Sequence, residues 1–292
     1  MHKFKRRHRP MTAERLKRNT SWTAVYIAIT AMVCFTALPL VYLVSTAFKP
    51  LSELYVFPPQ FFVRNPTLKN FSDLMLALSS SAVPYTRYMF NSIWITAITV
   101  VLTVIITSLA AYGLVKHSPP GSKTWFNIIV AALMVSPQVT QIPKYLVINE
   151  LGLVNSYAAI IIPALASAYY FFLVKQFVEQ LPNELIEAAR IDGAGEMYIF
   201  WRIIMPMLKP AWVTMLIFCF VGTWNDYFSP LVYLNDQAMK TLPLALQTIG
   251  TGIGRAGAVS AATLLMTMPT IILFTISQRN VMQTMIHSGI KG

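Results

Sequence analysis

A short polar segment, Glu187 to Ala194, interrupts the apolar second half of the chain. Asn183 can cap a helix of about two turns whose acidic residues lie near its positive end. Gly193 tolerates a reversed backbone and predicts a break. A second short helix is expected over Glu196–Arg202, ended by Pro206. Small side chains form the tip, at Ala188, Ala189, Gly193 and Ala194. The chemistry available there is recognition, because a partner surface can approach the backbone closely; the alternative is a loop that only connects two membrane helices.

Polar side chains within apolar runs form a second group of candidates. Such groups are costly in lipid and usually face a cavity or a partner. They are Asn91, Gln138, Gln141, Asn225, Asp226 and Tyr227. We predict that they line a path through the membrane. Asp226 has a second interpretation, because it lies about 17 residues into its apolar run and would then reach the outer interface, where Trp and Tyr are enriched.

The segment Gly252–Gly257 satisfies the dinucleotide pattern G-x-G-x-x-G. That fingerprint needs a preceding strand and a βαβ unit, whereas this copy lies in a glycine-rich loop, 234–256, between two apolar runs. No G-x-x-x-x-G-K-[ST] sequence occurs, so the chain lacks the loop that holds nucleotide phosphates. We therefore expect no cofactor on this chain, and any ATP that powers it would be hydrolysed by another subunit.

Catalytic and metal-binding patterns do not occur either. There is no H-E-x-x-H zinc sequence, and neither a serine–histidine–acid pattern nor paired carboxylates indicate an active site. The histidines show no ligand spacing, so no metal site is expected. Cys34 and Cys219 lie within apolar runs and are interpreted as small core residues rather than a disulfide or metal pair. These observations disfavour an enzyme.

The composition is that of a protein with several membrane-spanning segments. Of its 292 residues, 55% are hydrophobic and 12% are charged, and the mean hydropathy is +0.56, whereas a soluble domain has about 25% charged residues. The net charge of +12 could suggest nucleic-acid binding. We reject that interpretation because the basic residues cluster at one end and beside apolar runs, where they orient membrane proteins.

Six apolar runs are long enough to span a bilayer. They are Trp22–Phe48, Tyr88–Val115, Thr124–Pro143, Leu151–Val174, Ala211–Leu234 and Ala256–Gln278. The first run has 27 residues, which exceeds the roughly 7–15 residues of a signal-peptide apolar region, so we interpret it as an uncleaved membrane helix. The preceding residues, 1–20, form a basic arm that we expect to be mobile and to lie at the anionic cytoplasmic leaflet.

An even number of spans places both termini on one side. If that side is the cytoplasm, sixteen of the 23 basic residues lie inside and seven lie outside, as the positive-inside rule requires. The segment around Glu187 is then cytoplasmic.

The motif that begins at Glu187 resembles the EAA loop of ABC importer permeases. Glu187-Ala188-Ala189 is followed after three residues by Gly193, and the later Ile203–Pro206 has the Ile-x-x-Pro form. The fuller string is similar to the sugar-uptake, MalG-like branch, although Met205 stands where that pattern usually has Leu. The resemblance covers roughly residues 20–292, a range taken from the further matching segments. Those segments are Asn91-Ser92, Pro137–Pro143, Trp224–Asp226, Thr241–Leu244 and Gly289–Gly292.

The resemblance implies an all-α polytopic membrane protein with six transmembrane helices, the type I ABC importer permease fold. It implies a second, homologous permease, two ATPase subunits, and a periplasmic or extracellular solute-binding protein that loop 234–256 reaches toward, in the bacterial cytoplasmic membrane. Glu187 would be a polar contact to an ATPase, Ala188 and Ala189 a close-packing surface, and Gly193 the hinge turn next to Ala194. Asp192 would cap or brace the second helix. The resemblance implies a sugar or oligosaccharide as cargo, which a cavity lined by Asn, Gln and Tyr would suit; glycerol-phosphate diesters are the alternative cargo.

The chain is accordingly divided into three parts: a cytoplasmic basic arm (1–20), a transmembrane permease domain (21–282) with a coupling loop (178–206), and a cytoplasmic tail (283–292). The alternative function is an ion-coupled secondary transporter of a small polar solute. That class needs acidic or histidine relays deep in the membrane, and Asp226 is the one candidate in the sequence.

Overall fold

The computed structural model describes residues 13–79, 83–249 and 256–289, and within these ranges the chain is helical and has no strand. The all-α prediction is confirmed. In chain order the helices are α1 (Ala13–Phe48), α2 (Leu51–Leu54), α3 (Lys69–Ser79), α4 (Tyr85–Lys116), α5 (Ser122–Ala132), α6 (Gln141–Glu150), α7 (Ala158–Leu165), α8 (Ala168–Glu179), α9 (Asn183–Ile191), α10 (Glu196–Ile199), a π turn (Phe200–Ile204), α11 (Met205–Met207), α12 (Lys209–Trp224), α13 (Phe228–Tyr233), a 3₁₀ turn (Gln237–Met239), α14 (Leu242–Ile249) and α15 (Ala256–Gly289).

Three helices are long and apolar enough to cross a membrane: α1, α4 and α15. Two bent pairs qualify if each is counted as one span: α7 with α8, bent by 41°, and the segment Glu196–Met207 with α12, bent by 77°. The described residues therefore contain up to five spans. Thr124–Pro143 is interrupted between α5 and α6, because Pro137 lacks an amide hydrogen and restricts the residue before it. The count of six stays a prediction.

Two predicted boundaries move. The fourth apolar run was expected to begin at Leu151, but its helix, α7, begins at Ala158, because Gly152 and Asn155 have positive φ angles of 67° and 62° and reverse the chain first. The fifth run does not continue to Leu234 as one helix, since the backbone leaves the helical path at 225–227, between α12 and α13.

The two ends of the chain are more helical than expected. Helix α1 begins at Ala13, so residues 13–20 of the predicted mobile arm continue the first membrane helix, and the earlier part of the arm lies outside the described residues. Helix α15 continues through most of the predicted tail, to Gly289. Most of the dinucleotide-like segment Gly252–Gly257 lies outside the described residues as well.

Helix α4 is the centre of the bundle, and α7, α8 and α12 pack against it. Its buried face is rich in Thr and Ser, and small residues of this kind let membrane helices approach closely. Helix α1, in contrast, packs against α15 and α3 and leaves most of its apolar surface exposed. Cys34 is therefore exposed while Cys219 is buried, and the prediction that both lie in the core was wrong for Cys34.

One apolar cluster positions the segment that contains Glu187. Ile186 lies just before the segment Glu187–Ala194, and Phe200 lies after it. Both pack against side chains of three membrane helices: Tyr112 at the end of α4, Val174 of α8 and Met215 of α12. Phe200 is fully buried and Ile186 is 3% exposed. The segment is thus seated on the ends of three membrane helices by ordinary apolar burial.

Candidate functional site

We call residues 183–207 the inner loop, after the side of the membrane on which the sequence predicts them. Its first arm is α9, and Gly193 reverses the backbone after it with a φ of +81°. The amides of Asp192, Gly193 and Ala194 donate back to the carbonyl oxygens of Ala188, Arg190 and Ala189 at 3.0, 3.0 and 2.9 Å. This is the hydrogen-bonded termination of a helix by a left-handed glycine, and it confirms the break predicted at Gly193.

The start of the first arm differs from the prediction. Pro182 occupies the cap position and Asn183 is already helical, with no side-chain cap. The Asn183 Oδ1 instead accepts a hydrogen bond from Lys116 Nζ at 2.8 Å, and the same Nζ donates to the Leu181 carbonyl at 2.6 Å. The expected cap is wrong because a cation at the end of α4 competes for the amide oxygen. These contacts tie the entry of the inner loop to α4.

The second arm is longer than predicted. It runs from Glu196 through α10, the π turn and α11 to Met207, and the 77° bend follows at Leu208. Pro206 was expected to end the helix but lies within it. A proline inside a helix clashes with the carbonyl four residues earlier and lacks an amide hydrogen to donate. Just before Pro206, the π turn Phe200–Ile204 changes the spacing of the backbone hydrogen bonds. The second arm thus lies at a sharp angle to the membrane helix α12.

Glu196 joins the two arms to α4. Its Oε2 accepts a hydrogen bond from the Tyr112 hydroxyl at 2.8 Å and lies 3.2 Å from His117 Nε2. Its Oε1 accepts from Arg190 Nε at 2.8 Å. The Arg190 guanidinium, and after it the Tyr112 hydroxyl, holds the pKa of Glu196 below its usual range, despite partial burial. We call these four residues the Glu196 network.

Sequence reasoning did not find the Glu196 network. Glu196 at the first position of a short helix could have been recognised as a favourable acid at a positive helix end. Its partner Tyr112 is 84 positions away, and no local pattern connects them. The carboxylate that braces the second arm is that of Glu196, whereas Asp192 lies exposed at the end of α9.

The predicted recognition residues lie together on the tip of the inner loop. Glu187, Ala188, Asp192 and Gly193 are exposed, and Ala189 and Ala194 are half-buried against the apolar cluster. A polar cleft of about 330 Å³ opens beside them, and Lys116, Ser118, Glu187 and Arg190 contribute to its wall. The geometry therefore offers a partner both an exposed small-residue surface and an adjacent charged cleft.

Asn91 is engaged within the protein. It is 1% exposed, and its amide nitrogen donates to the carbonyl oxygens of Ala238 and Lys240, each at 2.9 Å. Its Oδ1 accepts from the Tyr157 hydroxyl at 2.8 Å. Both amide hydrogens are used, so the role that the contacts indicate is to hold the segment 238–240 and the start of α7 against α4.

The remaining path candidates lie at breaks between helices. Asp226 Oδ1 accepts from the amides of Phe228 and Ser229 at 2.9 and 3.0 Å and caps α13. Asn225 donates to the Val221 carbonyl at 2.8 Å, and Tyr227 is exposed. Gln138 and Gln141 are exposed near the break between α5 and α6. The cavity beside Asp226 has about 10 Å³, which is room for one water at most. This cavity is too small to hold a sugar.

Comparison with known proteins shows to which family this chain is similar. Residues 104–287 match the family described as the binding-protein-dependent transport system inner membrane component. The arabinooligosaccharide transport permease AraQ of Halalkalibacterium halodurans is 33% identical over 270 residues, covering 90% of this chain and 94% of the relative. The lactose transport permease LacG of Rhizobium radiobacter is 31% identical, covering 68% of this chain and 73% of the relative.

A solved structure has the same fold. It is a chain of a bacterial ABC transporter involved in the import of the acidic polysaccharide alginate, and it superposes with a TM-score of 0.79 at 22% identity over 93% of this chain and 99% of that one. From the match over most of its membrane helices, the chain belongs to the family of binding-protein-dependent transport system inner membrane components.

Proposed function

We propose that this chain is a permease subunit of an ATP-driven importer that carries a sugar or oligosaccharide into the cytoplasm. The observation that carries the proposal is the inner loop, whose small-residue tip is exposed while its base is seated on α4, α8 and α12. The cargo class is supported by the relatives, which are named for transport of arabinooligosaccharides and lactose.

The inner loop is the dock for an ATPase subunit. A second permease completes the path, since α1 leaves its apolar surface uncovered and no enclosed cavity of sugar size lies beside Asp226. A solute-binding protein delivers the cargo from outside. ATP is bound and hydrolysed on two separate ATPase subunits, because this sequence has no P-loop. Closure of the ATPases then moves the inner loop, and the membrane helices exchange outward for inward access as rigid bodies.

We propose, in addition, that both termini and the inner loop lie in the cytoplasm. Sixteen of 23 basic residues are then inside. Single cysteines at Ser118, Lys69 and Asp236, in a background without Cys34 and Cys219, test it. Intact cells should label the second and third from outside and leave Ser118 unlabelled. Labelling of Ser118 by an impermeant reagent would reverse the orientation.

The dock is tested by substitutions at the tip. Gly193→Val places a branched side chain at a φ of +81°, where nothing within 4 Å opposes a Cβ. The strain is therefore in the backbone, at about 1–2 kcal/mol, together with added bulk at the contact surface. Glu187→Lys reverses the charge of an exposed side chain in the middle of α9. Both variants should insert in the membrane, lose uptake, and release the ATPase subunits on detergent extraction.

The control is Lys240→Ala, on the opposite end of the bundle, where the backbone carbonyl rather than the side chain holds the contact with Asn91. It should retain the ATPases. If Gly193→Val and Glu187→Lys both keep full transport and hold their ATPases, the inner loop is only a connection between membrane helices.

Within the proposal, the solute contacts come from Gln138, Gln141, Asn225, Asp226 and Tyr227. Tyr227 is exposed and follows Asp226 directly in the sequence, and an aromatic face with a nearby hydrogen-bonding group suits a sugar. Tyr227→Ala should raise the KM for uptake without releasing the ATPases, and an unchanged KM would remove Tyr227 from the path.

A further inference from the structure

A single carboxylate on the second arm of the inner loop contacts two other elements, the first arm and the end of α4. Glu196 begins the second arm of the inner loop, Arg190 belongs to the first arm, and Tyr112 and His117 belong to α4 and the residue that follows it. The loop tip at Gly193 lies between the two arms. Any displacement of the tip therefore acts on Glu196 from both sides.

We propose that Glu196 is a positioning residue that makes the two arms of the inner loop move with α4 as one body, so that a displacement produced by the ATPase reaches the centre of the bundle. The inference rests on the proposed function of the inner loop as an ATPase dock. Beyond the dock itself, the inference identifies α4 as the element that receives the motion and Glu196 as the side chain that transmits it.

The burial of the partners favours α4 as the receiver. Tyr112 is 4% exposed, and its ring packs against Phe200, at 5.9 Å between centroids, and against His117, at 5.3 Å. A ring held in this way cannot swing with its hydroxyl, so a pull on the hydroxyl is a pull on the helix. Helix α4 in turn packs against α7, α8 and α12.

Apolar contacts alone would transmit the motion less well. Ile186 and Phe200 also rest on the ends of the membrane helices, but apolar attraction has no direction and allows sliding. Charge-assisted hydrogen bonds are short and directional, and two bonds to opposite oxygens of one carboxylate fix its orientation. Exposed ion pairs add little to stability, and Glu196 and Arg190 are 45% and 40% exposed. The network is therefore expected to matter for coupling more than for folding.

The test uses the assembled transporter, with its partner permease and ATPases, in lipid nanodiscs. Spin labels at Leu185 on α9 and Val101 on α4, both exposed, report the distance between the loop and α4 before and after addition of ATP and vanadate. In the otherwise unaltered protein the distance should stay narrow and constant. In Glu196→Gln and in Tyr112→Phe it should broaden or shift when nucleotide is added.

A second readout is the amount of ATP hydrolysis that occurs without a change in solvent access to residue 227. Solvent access to a cysteine at Tyr227, in a background without Cys34 and Cys219, gives the nucleotide-driven change, and ATP turnover is measured in the same sample. Glu196→Gln should reduce the access change per ATP hydrolysed roughly five-fold, at the lower end of typical coupling between sites. The ATPases should remain bound. The double variant Glu196→Gln with Tyr112→Phe should be no worse than Glu196→Gln alone, because Tyr112 acts through its contact with Glu196.

The matched control is Glu179→Gln. Glu179 is 43% exposed and its ion pair, with Lys175 at 2.5 Å, lies within α8. It also lines the polar cleft, so the control keeps the loss of one equally exposed carboxylate at the same end of the bundle and leaves out the contacts of Glu196. It should behave as the unaltered protein does. A Glu196→Gln complex with constant distance and full access change overturns the inference, and one that releases its ATPases makes Glu196 a docking contact instead. If either result is obtained and Gly193→Val still abolishes ATPase binding, the proposed function stands and only the role of Glu196 is overturned. If Gly193→Val keeps its ATPases bound, the proposed function fails independently of Glu196.

Discussion

The two ends of the bundle are held by different chemistry. At the end that we place outside, neutral side chains bond to backbone: Asn91 to the carbonyls of Ala238 and Lys240, and Asn155 Oδ1 to the amides of Asn235 and Asp236 at 3.0 and 2.9 Å. At the inner loop, beside the bonds of Lys116 to Leu181 and Asn183, a group of bonds runs between ionisable side chains. Arg190, Tyr112 and His117 all converge there on Glu196.

This difference corresponds to what each end has to do. A buried amide that pairs with backbone is expensive to break, because each group left unpaired loses its hydration without compensation. Such bonds hold one shape. Exposed charged side chains lose little when they separate, because water and ions replace the partner. The outer segments are thus built as a fixed frame, and the inner loop as a piece that is held in a defined orientation to α4 and moves together with it.

The largest effect is expected when the hydrogen bonds of the fixed frame are removed. Asn91→Ala leaves the Lys240 carbonyl and the Tyr157 hydroxyl without their partner, while Ala238 retains a weaker bond from Arg87 at 3.3 Å. The cost should be about 1–3 kcal/mol for each unpaired group. Thermal unfolding of the purified protein should show a clearly lower midpoint. Asn149→Ala, at an exposed amide on α6, is the control, and equal midpoints for the two variants would contradict the frame.

A smaller effect is expected at the reversed turn of the inner loop. Gly193→Ala adds a methyl group at a φ of +81°, whereas Gly195→Ala adds one at a φ of −72°, and neither Cβ meets an atom within 4 Å. Only the first should be strained, by about 1–2 kcal/mol. Affinity for the ATPase subunits should fall by roughly 5–30-fold in Gly193→Ala and little in Gly195→Ala. A binding titration in detergent measures both, and matching losses would show that the surface, not the backbone, matters.

A third effect separates the two ends by their response to salt. At about 1 M ionic strength the Debye length falls to about 3 Å, so the exposed network should lose part of its contribution, about 0.2–1 kcal/mol. Hydrogen exchange should quicken at 183–196 and remain unchanged at 235–242. Salt sensitivity at both segments would remove the distinction drawn between them.

The smallest effect concerns the proton on Glu196. Its pKa is lowered, first by Arg190, so the network contributes stability above the ordinary carboxyl pKa and loses it as pH falls through the lower folded value. Arg190→Gln should raise the pKa of Glu196 toward the ordinary range, measured by titration of the labelled carboxyl carbon. Arg202→Gln, an exposed arginine of the same loop, should leave it where it is; a shift with both variants would mean that general charge, not the contact, sets the pKa.

Local rules predicted the parts of the site that depend on neighbours in sequence. The break at Gly193 was confirmed, since a left-handed position favours glycine over any residue with a β-carbon. The cap at Asn183 and the stop at Pro206 were wrong, because Lys116 takes the amide oxygen of Asn183 and a π turn precedes Pro206. Whether Glu187 contacts an ATPase stays a prediction.

The amino-acid sequence alone determined that this is an all-α membrane protein of the importer permease family, because apolar length, charge asymmetry and the Glu-Ala-Ala string are properties of consecutive residues. Packing determined which polar residues act together. Glu196 and Tyr112 are 84 positions apart, and Asn91 is 147 from Ala238. Those pairs meet because α4 runs the depth of the bundle, with Asn91 near one end and Tyr112 near the other. Which residues lie against each end depends on how the helices pack, and no local pattern of residues encodes it.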